Sequence, residues 1–217
     1  MDYIFPNPYN APSSDPIAYG GDLNKECLMS AYNSGIFPWF LLQKNPVWFS
    51  PDPRCVLYPS EFKLHKSLKP YIKKYEVKFD FNPKEFINFC QKQRLKKSDT
   101  WITDEFVRAY SLLADDGIVH SVEIYENGVL IGGLYGLIIG KIFCGESMIS
   151  AKKNASKVAL YHLCKALNDF DFLIDCQVTN PHLIFMGAKE IKRIEYLQIL
   201  SIKKTQNSGF ESFKNLA

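Results

Sequence analysis

The sequence predicts an α+β protein built around a mixed β-sheet, and three consecutive stretches carry that expectation. Residues 118–148 hold three strand-like runs, 118–125, 129–138 and 141–148, with Asn127-Gly128 and Gly140 between them. Asn-Gly is the pair that a type I′ hairpin turn favours, so the runs read as an antiparallel meander. "NASKVALYHLCKALNDF" then places Ala155, Val158, Ala159, Leu160, Leu163 and Leu167 on one helical face. "FLIDCQV" returns to strand character.

The other elements follow in chain order. Residues 1 to about 24, rich in Pro, Asn, Ser and Gly, read as loop. Asp22 is placed to cap a helix starting near Asn24, with Leu23, Cys27, Leu28, Ala31 and Tyr32 at helical spacing and Gly35 as its stop. "IFPWF" and "VWFSPDPR" are punctuated by proline and read as too irregular for a long helix or a central strand. "CVLYP" is a strand. "EFKLHKSLKPYIKKY" is a helix that Pro70 either kinks or starts. "EVKFDFN" alternates as a short strand, and "PKEFINFCQKQR" is a helix with Pro83 in its first turn. "LKKSDTWIT" is a polar loop. "TDEFVRAYSLLADDG" is a helix with Thr103 as N-cap and Gly117 as stop. Gly132, Gly133 and Gly136 inside the second meander strand suggest a bulge or the close approach of another group. After "FLIDCQV", "NPHLIFMGA" is a short helical turn or loop, "KEIKRIEYLQIL" a final element, and the tail beyond Lys203 reads as loosely ordered.

Composition narrows the classes. The chain of 217 residues is 47% hydrophobic and 23% charged, which suits a globular protein and not a disordered one. No apolar run is long enough to span a bilayer, and the N-terminus does not read as a secretory signal. Six single cysteines at scattered positions read as free thiols in a reducing cytoplasm, with no zinc-ligand spacing among them. Net charge is +3, yet Glu61 to Thr100 holds eleven Lys/Arg against five Asp/Glu. Such a cluster suits a polyanion, although a merely solvated helix face is the commoner explanation.

Individual candidates for chemistry are weak when taken singly. Ser147 in "GESMIS" lacks the second glycine of a nucleophile elbow. Cys144 and Cys176 sit in or beside apolar strands with no adjacent His, as inert thiols do. Asp175 and Gln177 are two residues apart on a strand and so project from one face, with Ile174, Cys176 and Val178 facing the other way. They either converge on a reacting amine or satisfy backbone groups at a fraying strand end. Phe37, Trp39, Trp48, Phe49 and Trp101 lie outside the periodic core and suit either nucleobase stacking or ordinary packing. The element order is compatible with the N-acetyltransferase fold, but "SAKKNASK" has no glycine to cradle the pyrophosphate of coenzyme A.

Seven blocks taken together say more. "GGDLNKECLMSAYNSGIFPWF", "VWFSPDPRCVLYP", "DTWITDEFVRAY", "GIVHSVEIYENGVLIGGLYG", "IFCGESMIS", "NASKVAL" and "LIDCQVTNPHL…GAKEIKR" resemble, in order and spacing, the leucyl/phenylalanyl-tRNA–protein transferase family across roughly residues 19 to 196. The resemblance implies transfer of Leu or Phe, and less well Met, from aminoacyl-tRNA to proteins beginning with Arg or Lys, which directs them to N-degron degradation. It implies a small N-terminal α/β domain over residues 1–55 and an acetyltransferase-like (GNAT-like) mixed-sheet domain over 56–217. It further implies a cytoplasmic monomer, off the membrane, with no metal or organic cofactor.

Site residues carry over one by one. Asp175 is implied to hold and help deprotonate the incoming α-amine, Gln177 to position the reacting groups, and Glu146 to add a polar contact in an acidic pocket. Leu134, Phe143, Leu160, Leu163, Leu167 and Ile174 stand at the positions of the amino-acid slot. Three of these differ from the family's residues: Leu163 and Leu167 replace aromatics, and Leu134 replaces a methionine. The terminal adenosine is placed against Trp39 and Trp101, near Phe37 and Tyr110. Lys63, Lys66, Lys69, Lys73, Lys74, Lys92, Arg94, Lys96 and Lys97 become a track for the tRNA backbone, salt-sensitive and largely blind to sequence. An acyl-CoA-dependent N-acyltransferase and a catalytically silent tRNA binder are the alternatives.

Overall fold

A computed structural model describes residues 3–96 and 100–216. After an N-terminal loop, strand β1 (Ala18–Tyr19) leads into helix α1 (Lys25–Asn33). The helix is capped by Asn24, whose side chain accepts from the Cys27 N–H at 2.9 Å. Asp22, expected as the cap, stands two residues upstream and accepts from the Asn24 N–H. Its side chain orders the cap residue and leaves the helix N–H groups to Asn24.

The aromatic, proline-punctuated stretch is sheet, which corrects the expectation that it is too irregular for a central strand. β2 (Phe37–Leu42) and β3 (Asn45–Phe49) pair antiparallel, and β3 is the middle strand of a three-stranded sheet ordered β1-β3-β2. Pro38 sits at a register shift, and Pro46 is only the second residue of its strand, so both occupy places where a missing N–H is tolerated.

β4 (Arg54–Leu57) enters the large sheet, and the domain boundary expected after residue 55 falls inside it. Pro70 does not kink a helix but stands in the first turn of one, α2 (Lys69–Lys74), after short 3-10 turns. β5 (Glu76–Phe79), α3 (Pro83–Leu95) and α4 (Asp104–Asp115) follow. Thr103 occupies the N-cap of α4 without a side-chain capping bond. The meander is present as β6 (Val119–Glu126), β7 (Val129–Ile139) and β8 (Ile142–Ser150), then α5 (Ala155–Leu167) and β9 (Leu173–Gln177). α6 (Pro181–Phe185), β10 (Lys189–Ile191) and α7 (Arg193–Lys203) complete the order.

The large sheet runs β10-β4-β9-β8-β7-β6-β5 and is mixed, because β8 and β9 are parallel while every other neighbour is antiparallel. Alternation of side chains along its strands makes two cores. Leu134, Phe143 and Ile174 face α5 and the segment around α2. Tyr135, Cys144 and Leu173 face α1, α3, α4, α7 and the aromatic small sheet. Both readings of the β7 glycines hold. A Cβ on Gly133 would lie 2.3 Å from the Val122 carbonyl oxygen, and Gly136 sits at a register shift against β8.

Two long-range anchors tie the ends to this frame. Arg193, buried at the start of α7, donates to the carbonyls of Ala11, Pro12 and Ser50, while its N–H donates to Asp52. The tail, expected to be loose, docks instead. Phe213 is 2% exposed, with its ring 5.2 Å from Phe79 and 4.7 Å from His120. An aromatic side chain at the end of a polar tail is held because the α5 face of the sheet leaves apolar surface for it to cover. Phe213→Ala is expected to lower the unfolding free energy by about 3 kcal/mol, read as a lower urea midpoint at unchanged slope. An unmoved midpoint would mean that the tail contributes nothing.

Candidate active site

Strands β8 and β9 are paired only through Ile142–Leu173, Phe143–Ile174 and Cys144–Asp175. Beyond that point β8 continues beside β7 to Ser150, while β9 stops at Gln177. The sheet therefore opens, and a cavity of about 260 Å³ lies at the opening with Gly145 in its wall. Because the gap passes through the sheet, the cavity is lined by residues from both faces.

β9 ends abruptly for a local reason. The β4–β9 register shifts between Cys55 and Val56, and Gln177 takes φ +62, a left-handed conformation that costs a non-glycine residue on the order of 1 kcal/mol. The Asp175 carboxylate folds back to accept the Gln177 N–H at 2.9 Å, while the Gln177 side chain goes to Glu146. The two groups expected to converge on one point are thus arranged in series.

Asp175 is 1% exposed and is not on the cavity wall. Arg54 donates to both its oxygens, Nε to Oδ1 at 2.8 Å and Nη2 to Oδ2 at 2.6 Å. Tyr196 donates to Oδ2 at 2.8 Å, so with Gln177 N–H four donors meet a group that offers about four acceptor sites. Arg54, also 1% exposed, lies between the Phe37 and Tyr196 rings and donates to the Gly35 carbonyl. Burial is the largest single influence and opposes its charge, but Asp175 and Tyr196 beside it together raise its pKa.

Glu146 is the carboxylate that reaches the wall. It accepts from Tyr32 Oη and Gln177 Nε2 on Oε1, both at 2.7 Å, and from Tyr110 Oη on Oε2 at 3.0 Å. Desolvation raises its pKa to about 7 against the opposing pull of those three donors, with nearby Asp175 adding to the rise. Tyr32 and Tyr110 are themselves pushed well up by burial, so they remain donors.

Leu134, Phe143, Leu160, Leu163 and Ile174 line the apolar side of the cavity. Leu167, one turn beyond Leu163 on α5, is fully buried and off the wall. Phe37, Trp39 and Trp101 line the aromatic side, with Trp39 37% exposed and set edge-on to Phe49 at 5.0 Å. Tyr110 is buried behind this wall and meets it through Glu146, to which its hydroxyl donates, and through the Tyr135 ring at 5.9 Å. Cys176, expected to face away and only pack, is on the wall, because the gap beside β9 exposes both of its faces. Its contact with Cys55, and then burial, push its thiol well up, so it is a poor nucleophile at neutral pH.

The basic segment is divided by the fold. Lys63, Lys66, Lys69, Lys73 and Lys74 are exposed on the α2 side of the sheet, and Lys74 pairs with Glu126 at 2.7 Å. Lys92 and Lys96 are exposed at the end of α3, which packs on the opposite face. Arg94 is half-buried and joins the cavity wall, and Lys97 lies outside the described residues. Among the described residues no cluster of His, Cys, Asp and Glu is arranged to hold a metal ion, and no helix is long and apolar enough to cross a membrane.

The sequence reading missed Arg54, Tyr32 and Tyr196, which hold the site's two carboxylates. Arg54 carried a signal, a lone cation inside the apolar "RCVL" run that β4 buries completely.

Comparison with known proteins covers nearly the whole chain. The leucyl/phenylalanyl-tRNA protein transferase family model matches residues 56–201, and the model for the N-terminal domain of that family matches residues 21–52. Proteins named leucyl/phenylalanyl-tRNA–protein transferase are similar to it at full length. The one from Campylobacter jejuni strain RM1221 is 48% identical over 95% of this chain and 94% of its own. That from Campylobacter lari is 49% identical at the same coverage, and that from Vibrio parahaemolyticus is 44% identical over 95% of this chain and 90% of its own. A crystal structure of a conserved protein of unknown function from Bacteroides thetaiotaomicron overlaps 71% of this chain and 56% of that one at 11% identity. Its TM-score of 0.44 is too low to bear on the fold.

The buried groups make two expectations. Glu146 has a folded pKa above its unfolded one, so its burial costs nothing below about pH 4, where both states are protonated. The cost grows as pH rises toward 7, because the unfolded state releases its proton first. Glu146→Gln is therefore expected to gain stability relative to the parent protein across that window, by up to ~3 kcal/mol, in denaturation measured against pH. A constant difference would contradict the raised value. Arg54→Ala strands a buried carboxylate and is expected to cost about 3–5 kcal/mol by the same measurement.

Proposed function

The chain belongs to the leucyl/phenylalanyl-tRNA–protein transferase family and is an aminoacyltransferase, and from that premise we propose that it moves an aminoacyl group from tRNA to the α-amine of a protein. Glu146 takes the proton and Gln177 holds the amine. One observation carries this reading: a buried carboxyl group held only by hydroxyl and amide donors stands on the cavity wall between an apolar slot and an aromatic shelf, where desolvation raises its pKa to about 7.

The ester of an aminoacyl-tRNA is already activated. The barrier lies in placing the amine against the carbonyl and in removing a proton as the bond forms. Gln177 gives its Nε2–H to Glu146, which leaves Oε1 of the same amide to accept from the incoming amine. Glu146 takes the proton. A base near 7 is matched to an α-amine of pKa about 8, whereas an ordinary carboxylate is too weak. The proton passes on to the ribose oxygen as the ester bond breaks. Asp175 acts at one remove, fixing the Gln177 backbone and holding Arg54, and is a positioning residue.

The slot of Leu134, Phe143, Leu160, Leu163 and Ile174 supports an unbranched-at-β apolar donor such as Leu, Phe or, less well, Met. Trp39 and Trp101 supply faces for the terminal adenosine. Glu146, the one carboxylate on the wall among the described residues, favours an acceptor beginning with Arg or Lys. Marking such proteins for N-degron degradation in the cytoplasm, as a monomer, completes the proposal. The exposed lysines serve as non-specific phosphate contacts, and their division between two faces supports two patches in place of a single track. We also read the protein as a small N-terminal domain over residues 1–55 followed by a GNAT-like domain. The support for the latter is the order of meander, helix and a strand parallel to β8.

The test mixes purified protein, tRNA charged with labelled Leu or Phe, and an Arg-initiated peptide. Label is expected on the peptide's α-amine; transfer from an acyl-CoA but not from tRNA would overturn the proposal. The rate is expected to rise with pH through an inflection near 7. Glu146→Gln removes that inflection and lowers kcat by about 10²-fold. An unchanged pH profile in that variant would reassign the base.

A further inference from the structure

Arg94 stands apart from the other basic residues of its segment. It lies in the last turn of α3, half-buried, on the cavity wall. Its Nη2 donates to Ser147 Oγ at 3.0 Å, but its Nε is buried and meets no acceptor among the described residues. Tyr135 is on the same wall and fully buried, and its hydroxyl likewise has no partner among the described residues. Ser147, 7% exposed, accepts from Arg94 on its Oγ. Tyr135 and Ser147 are cross-strand partners on β7 and β8, so the three groups gather at one place.

Orphaned buried donors are rare because each forgoes a bond that water would have made. Two of them, one on the Arg94 guanidinium and one on Tyr135, beside the Ser147 hydroxyl make a set suited to an oxyanion. Burial pushes the Tyr135 hydroxyl well up, so it stays a donor. Glu146, the nearest carboxylate on the wall, is already held by Tyr32, Tyr110 and Gln177.

Position identifies the anion. Tyr135 belongs to the aromatic ladder that runs through Tyr110 and Phe106 to Trp101, with successive ring centroids 5.9, 6.0 and 5.4 Å apart. This is the nucleoside side of the cavity, and the apolar slot faces the other core. In an aminoacyl-tRNA the amino acid carries a cationic amine and its carboxyl is esterified. The anion on the nucleoside side is the phosphodiester joining the terminal nucleoside to the one before it.

We infer that Arg94, Ser147 and Tyr135 form a subsite for the phosphate on the 5′ side of the donor's terminal nucleoside. The inference rests on the transferase reading above. It makes Arg94 a specific contact at the reacting end of the tRNA and sets it apart from the exposed lysines.

The experiment compares adenosine with adenosine 5′-phosphate as inhibitors of transfer from aminoacyl-tRNA. The phosphate is expected to strengthen inhibition of the parent protein about tenfold or more, as a charged hydrogen-bonded contact does. Arg94→Gln is expected to bring the two inhibitors to within about twofold of each other, while Arg94→Lys, which keeps the charge but loses the planar fork, retains part of the preference. Tyr135→Phe keeps the ring and is expected to reduce the preference severalfold, which carries the test even where Arg94→Gln folds poorly. Equal inhibition of the parent protein by the two compounds, or by neither, overturns the inference, as does a preference unchanged in Arg94→Gln. Absence of transfer from charged tRNA by the parent protein overturns the transferase reading and this inference with it.

Discussion

The buried ion pair between Arg54 and Asp175 is the constraint around which the site is built. It joins β4 to β9, and it reaches the turn after α1 through the Gly35 carbonyl and α7 through Tyr196. Each partner is 1% exposed, so neither charge is tolerable without the other. A pair of this kind contributes little net stability over an apolar replacement. What it does here is fix direction. The same Asp175 oxygen that takes Arg54 Nε also takes the Gln177 N–H, and that bond holds the last residue of β9 in its left-handed turn.

From that turn the Gln177 side chain reaches Glu146 across the gap where β8 and β9 part. The division of labour between two acids follows from what surrounds each. Asp175 has four donors, two of them from a fixed cation. Glu146 has hydroxyl and amide donors only, which cannot fully offset its desolvation, so it sits near neutrality. A carboxyl poised there can take a proton and return it within one reaction cycle, which suits acyl transfer between an amine and an alkoxide leaving group.

Local chemistry made much of the fold readable. Asn127-Gly128, the alternation along residues 118–148, the helical face from Ala155 to Leu167 and the glycines of β7 all act through near neighbours, and the structure bears each of them out. The failures share a cause, which is that a distant partner decided the outcome. Pro38 and Pro46 fit in strands because their positions ask for no N–H there, and Phe213 is ordered by a sheet face set down more than sixty residues earlier. At the site, strand period 2 put Asp175 and Gln177 on one face, but Gln177 reaches the cavity wall beside Ile174, Cys176 and Val178 while Asp175 stays behind it. The period could not reveal that Arg54, 121 residues away in sequence, would claim one of them. Nor could it show that the sheet opens beside β9 and brings Cys176 to the wall. Five of the six slot positions implied by family resemblance line one cavity, and the sixth, Leu167, is a turn too deep.

In the proposed transfer Glu146 is the group that exchanges a proton at neutral pH. The most direct measurement is the carboxyl carbon resonance of ¹³C-labelled Glu146, assigned by its loss in Glu146→Gln and followed against pH in the folded protein. A titration midpoint of about 7 is expected. A midpoint near the ordinary glutamate value of about 4 would contradict that role.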